Sequence, residues 1–225
     1  MPAHLFPPEP QPVLPLAGEN VLFPVRRIFC IGRNYADHAA EMGNKVDRSA
    51  PFYFTKTPLS LCPPGDIPYP PGTSDLHHEV ELVLAIGTPI ARDTDPAQAA
   101  KAIIARAVGI DLTRRDLQAA AKDQRRPWDI GKDFENAAII APLSRAPAGP
   151  GIRLAVNGIE RQNGQLADMI FPEGELLAFL ATLHDIGPGD LVMTGTPAGV
   201  SALRPGDAIS AEIDGLPPLQ ARITA

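Results

Sequence analysis

The chain has 225 residues, 44% of them hydrophobic, with 26 prolines, two cysteines and a formal net charge of −6. That length suits one domain with at most a short extension. The acidic balance argues against nucleic acid or an anionic membrane as the main partner. Cys30 and Cys62 form neither a disulfide framework nor a zinc pattern. No run approaches the ~20 apolar residues of a membrane span. The segment Met1-Pro2-Ala3-His4-Leu5-Phe6-Pro7-Pro8 lacks the basic and apolar regions of a signal peptide, so a soluble, cytoplasmic protein is expected.

Residues 1–20 are Pro-rich and predict an extended arm over the surface of a single domain at 21–225. A short strand follows at Arg27–Ile31. Gly32-Arg33-Asn34-Tyr35 makes the turn out of it, and a helix is predicted from Ala36 to Met42, stopped by Gly43. The polar stretch 44–51 ends in Pro51 and predicts a mobile loop. Phe52-Tyr53-Phe54-Thr55 reads as a strand, and Cys62–Asp66 and Tyr69–Gly72 as turns.

Leu76 to Gly87 is the most informative segment. Its apolar, β-branched end, Leu82-Val83-Leu84-Ala85-Ile86, reads as a strand entering a core. A helix is expected from Asp95 to Ala105, with Asp95 as N-cap and Pro96 at the first helical position. Val108–Asp111 predicts a short strand. A helix opened by Asp111 or Thr113 should run through Leu117 to Lys122. Beyond Trp128 the chain looks mainly β. Asn157-Gly158 is a two-residue hairpin signal, Glu173 to Leu183 reads as a helix, and Pro188-Gly189-Asp190 and Pro205-Gly206-Asp207 turn into the last strands. Many short strands with few helices predict an α+β fold dominated by sheet.

Glu79 and Glu81 are separated by one residue. On a strand they face the same way, roughly 6–7 Å apart at about 3.3 Å per residue. Two like charges on one face repel unless something positive lies between them, and a hard divalent cation with oxygen ligands is the natural candidate. An isolated Glu-x-Glu is ordinarily the solvated face of an edge strand, but the apolar run behind this one makes it a poor edge. Asp111 ends another apolar strand. It is either a helix N-cap or a third oxygen ligand in an open-sided site suited to Mg²⁺ or Mn²⁺. His38 and Glu41, three apart on a helix, share a face; such a pair is commonly a surface pair, and is also a plausible general base for water. His77 and His78 point to opposite sides of the strand, and at most His77 shares the face of the glutamates.

Four stretches together resemble the fumarylacetoacetate hydrolase family. They are Ile31-Gly32-Arg33-Asn34-Tyr35-Ala36-Asp37-His38, His77-His78-Glu79-Val80-Glu81-Leu82, Gly109 to Gln118, and Thr194-Gly195-Thr196-Pro197-Ala198-Gly199-Val200. The resemblance covers residues 22–215. It implies a β-rich roll or partly open barrel with flanking helices, assembled as a homodimer. It implies Mg²⁺ or Mn²⁺ on Glu79, Glu81 and Asp111, and a catalytic pair of His38 and Glu41 on a segment that orders with ligand. Lys132 and Gln118 are then expected to stabilise an oxyanion or touch substrate. Arg33, Tyr35, Arg115 and Thr196 are expected to contact substrate.

The substrate class implied is a small 2-oxo or 1,3-diketo acid. Hydrolysis would cleave its carbon–carbon bond after water activation by His38. The entry stretch Phe23 to Tyr35, with Tyr69–Glu79 and Arg126–Lys132, looks most like the bacterial members acting on fumarylpyruvate in gentisate breakdown. That substrate has carboxylates at both ends, and Arg33, Arg115 or Arg126 could meet the second one. Two positions depart from the common pattern: Arg125 stands where relatives often carry Gly, and Phe134-Glu135 where they carry Phe-Asp. General acylpyruvate hydrolysis, oxaloacetate decarboxylation and isomerisation or decarboxylation of hydroxymuconate-type acids share the same scaffold. A ligand-binding homologue without turnover is the non-enzymatic reading, and the intact His38 and Glu41 argue against it.

Overall fold

The computed structural model describes residues 4–43 and 46–225. Two mixed sheets dominate it. The larger has seven strands in the order Phe52–Lys56, Arg27–Gly32, Asp190–Met193, Val80–Ile86, Ile103–Asp111, Ala138–Ile140 and Leu61–Cys62. Its pairings are antiparallel except Asp190–Met193 with Arg27–Gly32 and Ala138–Ile140 with Leu61–Cys62. The smaller has five strands: Ile159–Gln165, Gly151–Val156, Ala208–Ile213, Leu219–Thr224 and Asp66–Pro68. The result is a β-rich, curled, open half-barrel, as expected.

The central strand Val80–Ile86 is buried at every position, which explains why its apolar residues run on rather than alternate. Val80, Leu82, Leu84 and Ile86 face the main core, shared with Ile152 and Leu154 of the smaller sheet and with Leu176, Leu177 and Leu180 of the helix Glu173–Leu183. Val83 and Ala85 face a second core with Ala105, Ala107, Leu191 and Met193, covered by Leu14, Leu16, Phe23 and Val25. Glu81 is two residues from Val83, so the period-two rule puts it at the end of this second face. The expected N-terminal arm contributes a strand, Val13–Pro15, paired with Leu22–Pro24. Residues 1–3 of that arm, and residues 44 and 45 of the expected mobile loop, lie outside the described residues.

Three expectations are corrected. The helix expected to Ala105 spans only Pro96–Ala99, followed by a 3₁₀ turn at Ala100–Ala102. The next strand starts at Ile103 rather than Val108 and runs to Asp111. Ile103 to Ala107 pair along Val83–Ile86; the buried ladder overrides the helix preference of the alanines. The N-cap at Asp95 does hold, accepting a hydrogen bond from Gln98 N at 3.0 Å. The next helix is Arg115–Asp123, with neither Asp111 nor Thr113 at its cap. Both of those side chains are instead bound by Lys132. Lys132 itself ends a short helix, Asp129–Lys132. The helix Glu173–Leu183 and the Asn157-Gly158 hairpin fall where the sequence puts them. Among the described residues no helix is long and apolar enough to cross a membrane.

Candidate metal centre and active site

Strand register assembles the acidic cluster. Glu81 lies opposite Gly109 on the neighbouring strand, and Asp111 N donates to Glu79 O at 2.9 Å. Asp111 therefore stands across from Glu79 and on the same face as Glu81. All three side chains are buried, and one carboxylate oxygen from each lies within 4.8 Å of the others.

Three cations stand against these three acids. Lys132 Nζ donates to Glu79 Oε2 at 2.8 Å, Asp111 Oδ2 at 2.7 Å and Thr113 Oγ1 at 2.7 Å. An ammonium has three N–H groups, and all three are used. Arg115 Nη2 donates to Glu79 Oε1 at 2.5 Å, and its Nη1 donates to Gln118 Oε1 at 2.7 Å. Lys56, buried at the end of its strand, forms an ion pair with Asp111 Oδ1 at 2.8 Å and donates to the carbonyl of Lys132. Asp111 Oδ1 is approached by Lys56 without an aligned hydrogen bond.

The charges are shared unevenly. Burial would raise the pKa of Glu79, but Lys132 and Arg115 outweigh it and hold the carboxylate well below its usual range. Glu81 goes the other way. Burial, then Asp111 and Glu79, push its pKa well above the usual range, with Lys132 and the Gly195 N–H only partly offsetting them. Its hydrogen bond comes from Gly195 N, at 2.7 Å. An all-oxygen set with one carboxylate short of positive charge and one aspartate oxygen lacking a hydrogen bond fits a hard divalent cation. Burial works to discharge Lys132, and Asp111 and Glu79 override it to keep the ammonium charged.

The general-base candidates meet the same pocket. His38 is buried, and its Nδ1 lies 3.1 Å from Glu41 Oε2. Glu41 in turn accepts from Gly199 N at 3.1 Å. Gly199 has φ +100°, and a Cβ there would fall 1.9 Å from Arg161 O, so only glycine permits the loop to reach Glu41. A Cβ on Gly131 would lie 2.9 Å from Gln118 N, so this glycine lets the Lys132 helix close on the Gln118 helix. His38, Glu79, Glu81, Arg115, Gln118, Lys132, Thr196 and Arg33 line one pocket. Asp111 lies behind Lys132, and Glu41 behind His38. Tyr35 is not brought in. Among the described residues its buried hydroxyl has no hydrogen-bond partner, and it lines a neighbouring cavity with Asp168, Met169 and Pro197.

Several residues at the site gave no sequence signal. Gln162, fully buried, accepts from Val80 N at 3.1 Å with its Oε1, which lies 2.9 Å from His78 Nδ1. Its Nε2 donates to Thr196 Oγ1 at 2.7 Å and to Pro197 O at 2.8 Å. It thus ties the second sheet to both the acidic strand and the Thr196 loop. The environment that holds His78 against Gln162 and Ser201 lowers its pKa to about 4, mainly by burial, so it is a neutral structural side chain. Asn34 pins the turn by donating to Thr194 O and Phe171 O. Lys56 closes an otherwise aromatic strand, the one hint of a special role. Lys122 and Trp128 complete the pocket wall.

The β-rich half-barrel sets three buried carboxylates and a histidine–glutamate pair around one cation-clamped pocket, an arrangement suited to a hard divalent metal. The fumarylacetoacetate (FAA) hydrolase C-terminal family matches residues 27–224, and the chain belongs to the fumarylacetoacetate hydrolase family. It is similar to a fumarylpyruvate hydrolase of Ralstonia sp., with 44% identity over 78% of this chain and 94% of the relative. It is also similar to an oxaloacetate tautomerase of Escherichia coli, with 36% identity over 88% of this chain and 93% of the relative. The crystal structure of fumarylpyruvate hydrolase from Pseudomonas aeruginosa in complex with Mn²⁺ and pyruvate matches at a TM-score of 0.93, with 40% identity over 99% of both chains.

Proposed function

We propose that the chain is a metal-dependent hydrolase of acylpyruvates, with fumarylpyruvate as its substrate and fumarate and pyruvate as products. The observation that carries this is the placement of His38, backed by Glu41, in the pocket lined by Glu79 and Glu81. The names of similar proteins support it.

When bound by Glu79, Glu81 and Asp111, Mg²⁺ or Mn²⁺ supplies Lewis-acid stabilisation of the 2-oxo acid end. Glu41 holds Nδ1 of His38, which leaves Nε2 to take a proton from water. The resulting hydroxide adds to the distal acyl carbonyl. Arg115 carries only donors, so Gln118 must turn its oxygen to Arg115 and keep its NH₂ for the developing oxyanion. The bond between the acyl carbon and the methylene then breaks. Its electron pair stays on the pyruvate fragment as the enolate, which takes a proton at carbon. In this scheme Lys132 balances the carboxylates, since its three donors are engaged.

The test is Mg²⁺-dependent release of pyruvate from fumarylpyruvate, acetylpyruvate and oxaloacetate. Hydrolysis is expected for the first two. His38→Ala should bind metal and lose hydrolysis; a variant that retained hydrolysis would sink the mechanism. The 36% identity to an oxaloacetate tautomerase supports a second reading, enol–keto exchange on the same metal site without water activation. Under that reading the protein accelerates oxaloacetate tautomerisation and leaves acylpyruvates intact. The proposal includes a cytoplasmic homodimer. Exposed Val21 and Leu22, beside a cavity lined by Leu16, Phe23 and Ile104, supply apolar surface for it. Sedimentation of twice the chain mass is the expected result.

A further inference from the structure

The pocket has two ends of different chemistry. One is the carboxylate cluster with Lys132, Arg115 and Lys56 neutralising it. The other is an aromatic wall in which Trp128 lines the pocket and Phe52 backs it from outside the lining, the two rings meeting edge-on at 4.7 Å between centroids. Two cations lie on this wall. Arg33 Cζ stands 5.3 Å from the Phe52 centroid and 5.6 Å from that of Trp128, and Lys122 Nζ stands 5.9 Å from the Trp128 centroid. Both line the pocket.

Neither makes a hydrogen bond or salt bridge among the described residues, although every other pocket cation does. Asp47, an acid that feels Arg33, commits its carboxylate to Ser49, accepting from its backbone N at 2.8 Å and its Oγ at 2.6 Å. The Arg33 backbone holds φ +61°, a conformation that a non-glycine residue adopts at a cost. Two unpaired cations stacked side by side on aromatic faces repel each other, and an anion between them relieves this. The rival arginines do not fit the role. Arg115 is engaged by Glu79 and Gln118, and Arg126 is exposed and outside the pocket.

We propose that Arg33 and Lys122, laid on the Phe52–Trp128 wall, form an anion subsite that receives the second carboxylate of a dicarboxylic 2-oxo acid. The pair thereby selects dicarboxylic over monocarboxylic acylpyruvates. The planar guanidinium grips the carboxylate in a fork, and the ammonium adds a point charge. Burial, then Arg33 and Arg115, hold the pKa of Lys122 below the ordinary lysine value, with Asp123 only partly opposing them.

The assignment takes its substrate from the hydrolase reading, so the test has two arms. In the first, the ratio of kcat/KM for fumarylpyruvate to that for acetylpyruvate is measured. Lys122→Gln and Arg33→Asn should each lower it at least about tenfold, the effect of losing one charge-assisted hydrogen bond. Asparagine tolerates the left-handed backbone at residue 33. Arg126→Gln should leave the ratio unchanged. The second arm needs no turnover. Trp128 is the only tryptophan, so its fluorescence reports ligands on this wall. Fumarate should perturb it and bind at least about tenfold more weakly to Lys122→Gln, while pyruvate affinity at the other end is retained. An unchanged ratio, an equal loss for both substrates, or fumarate binding indifferent to Lys122 would overturn the subsite. Fumarate binding that depends on Lys122 in a protein that cleaves no acylpyruvate would keep the subsite and reject hydrolysis.

Discussion

Glu81 is the residue whose surroundings most demand a cation. Its neighbours Glu79 and Asp111 are claimed by Lys132, Arg115 and Lys56, whereas Glu81 has one backbone N–H. Buried charge without a partner is costly. Glu81→Gln keeps the shape and removes the charge, so the metal-free variant should unfold no more easily than the metal-free wild type. Mn²⁺ titration should show it binding more weakly by at least the roughly 10–100-fold lost when a mere outer partner of a metal ligand is removed. Chelation should lower the melting temperature of the wild type, because a ligand at 100 times its Kd stabilises by about 2.7 kcal/mol. Chelator should have little effect on the variant. A wild type indifferent to chelator would show that the three acids hold no metal. The sequence made this triad legible because the relevant information is local: a one-residue spacing and a strand period. It could not show that Lys132 spends all its donors on the same acids, since that depends on where a second helix closes on the first.

At the scale of elements, the loop Thr194–Val200 and the strand before it position the chemistry from opposite directions. The loop supplies Gly195 N to Glu81 and Gly199 N to Glu41. Gly199→Ala places a methyl into Arg161 O at a left-handed φ, so the loop must shift and release Glu41. The expected result is at least about 3 kcal/mol lost in urea unfolding, the range of severe backbone and overpacking changes. Its kcat should fall with no loss of metal affinity. The strand Asp190–Met193 begins at Asp190, whose carboxylate accepts from Arg26, Arg27 and Gly187 N. Burial would raise its pKa, but these donors override it and hold it below the ordinary value. A depressed carboxylate stabilises fully above its ordinary pKa and loses that contribution as pH falls through the folded value. Asp190→Asn should therefore cost about 2–3 kcal/mol at pH 7, discounted from the buried-pair range because both arginines face solvent. The gap to wild type should close as urea titrations move below the usual carboxylate range. The Pro-Gly-Asp turn announced this strand; its pairing with Arg27, 163 residues away, is a long-range fact that no local pattern encodes. The misjudged helix end near Ala105 has the same origin, since Ile103 onward is claimed by a partner strand.

Across the whole molecule, one face of the central sheet serves two purposes along its length. At one end it carries Glu81 and Asp111; further along it is covered by residues near the start of the chain. Composition suggested that residues 1–20 only drape the surface, because proline-rich segments rarely join a core. The structure divides them. Leu5 and Phe6 are exposed, whereas Leu14 and Leu16 are buried against Phe23, Val25, Leu191 and Met193. Backbone bonds from Ala17 N to Leu143 O and from Leu143 N to Pro15 O fasten the segment down. Pro12 precedes the strand Val13–Pro15 and Pro15 ends it; the ladder with Leu22–Pro24 survives, and on the other side Pro15 is asked only for its carbonyl, by Leu143 N. Removing residues 1–10 should therefore change the unfolding free energy by no more than about 0.5 kcal/mol, as for other exposed changes. Leu14→Ala and Leu16→Ala should each cost about 2–5 kcal/mol, as buried leucines do. Because Met193 leads directly into the Thr194 loop, the two core variants should also lower kcat at temperatures where they remain folded. Equal stability of the truncation and the Leu16→Ala protein would show that this segment is only a surface arm.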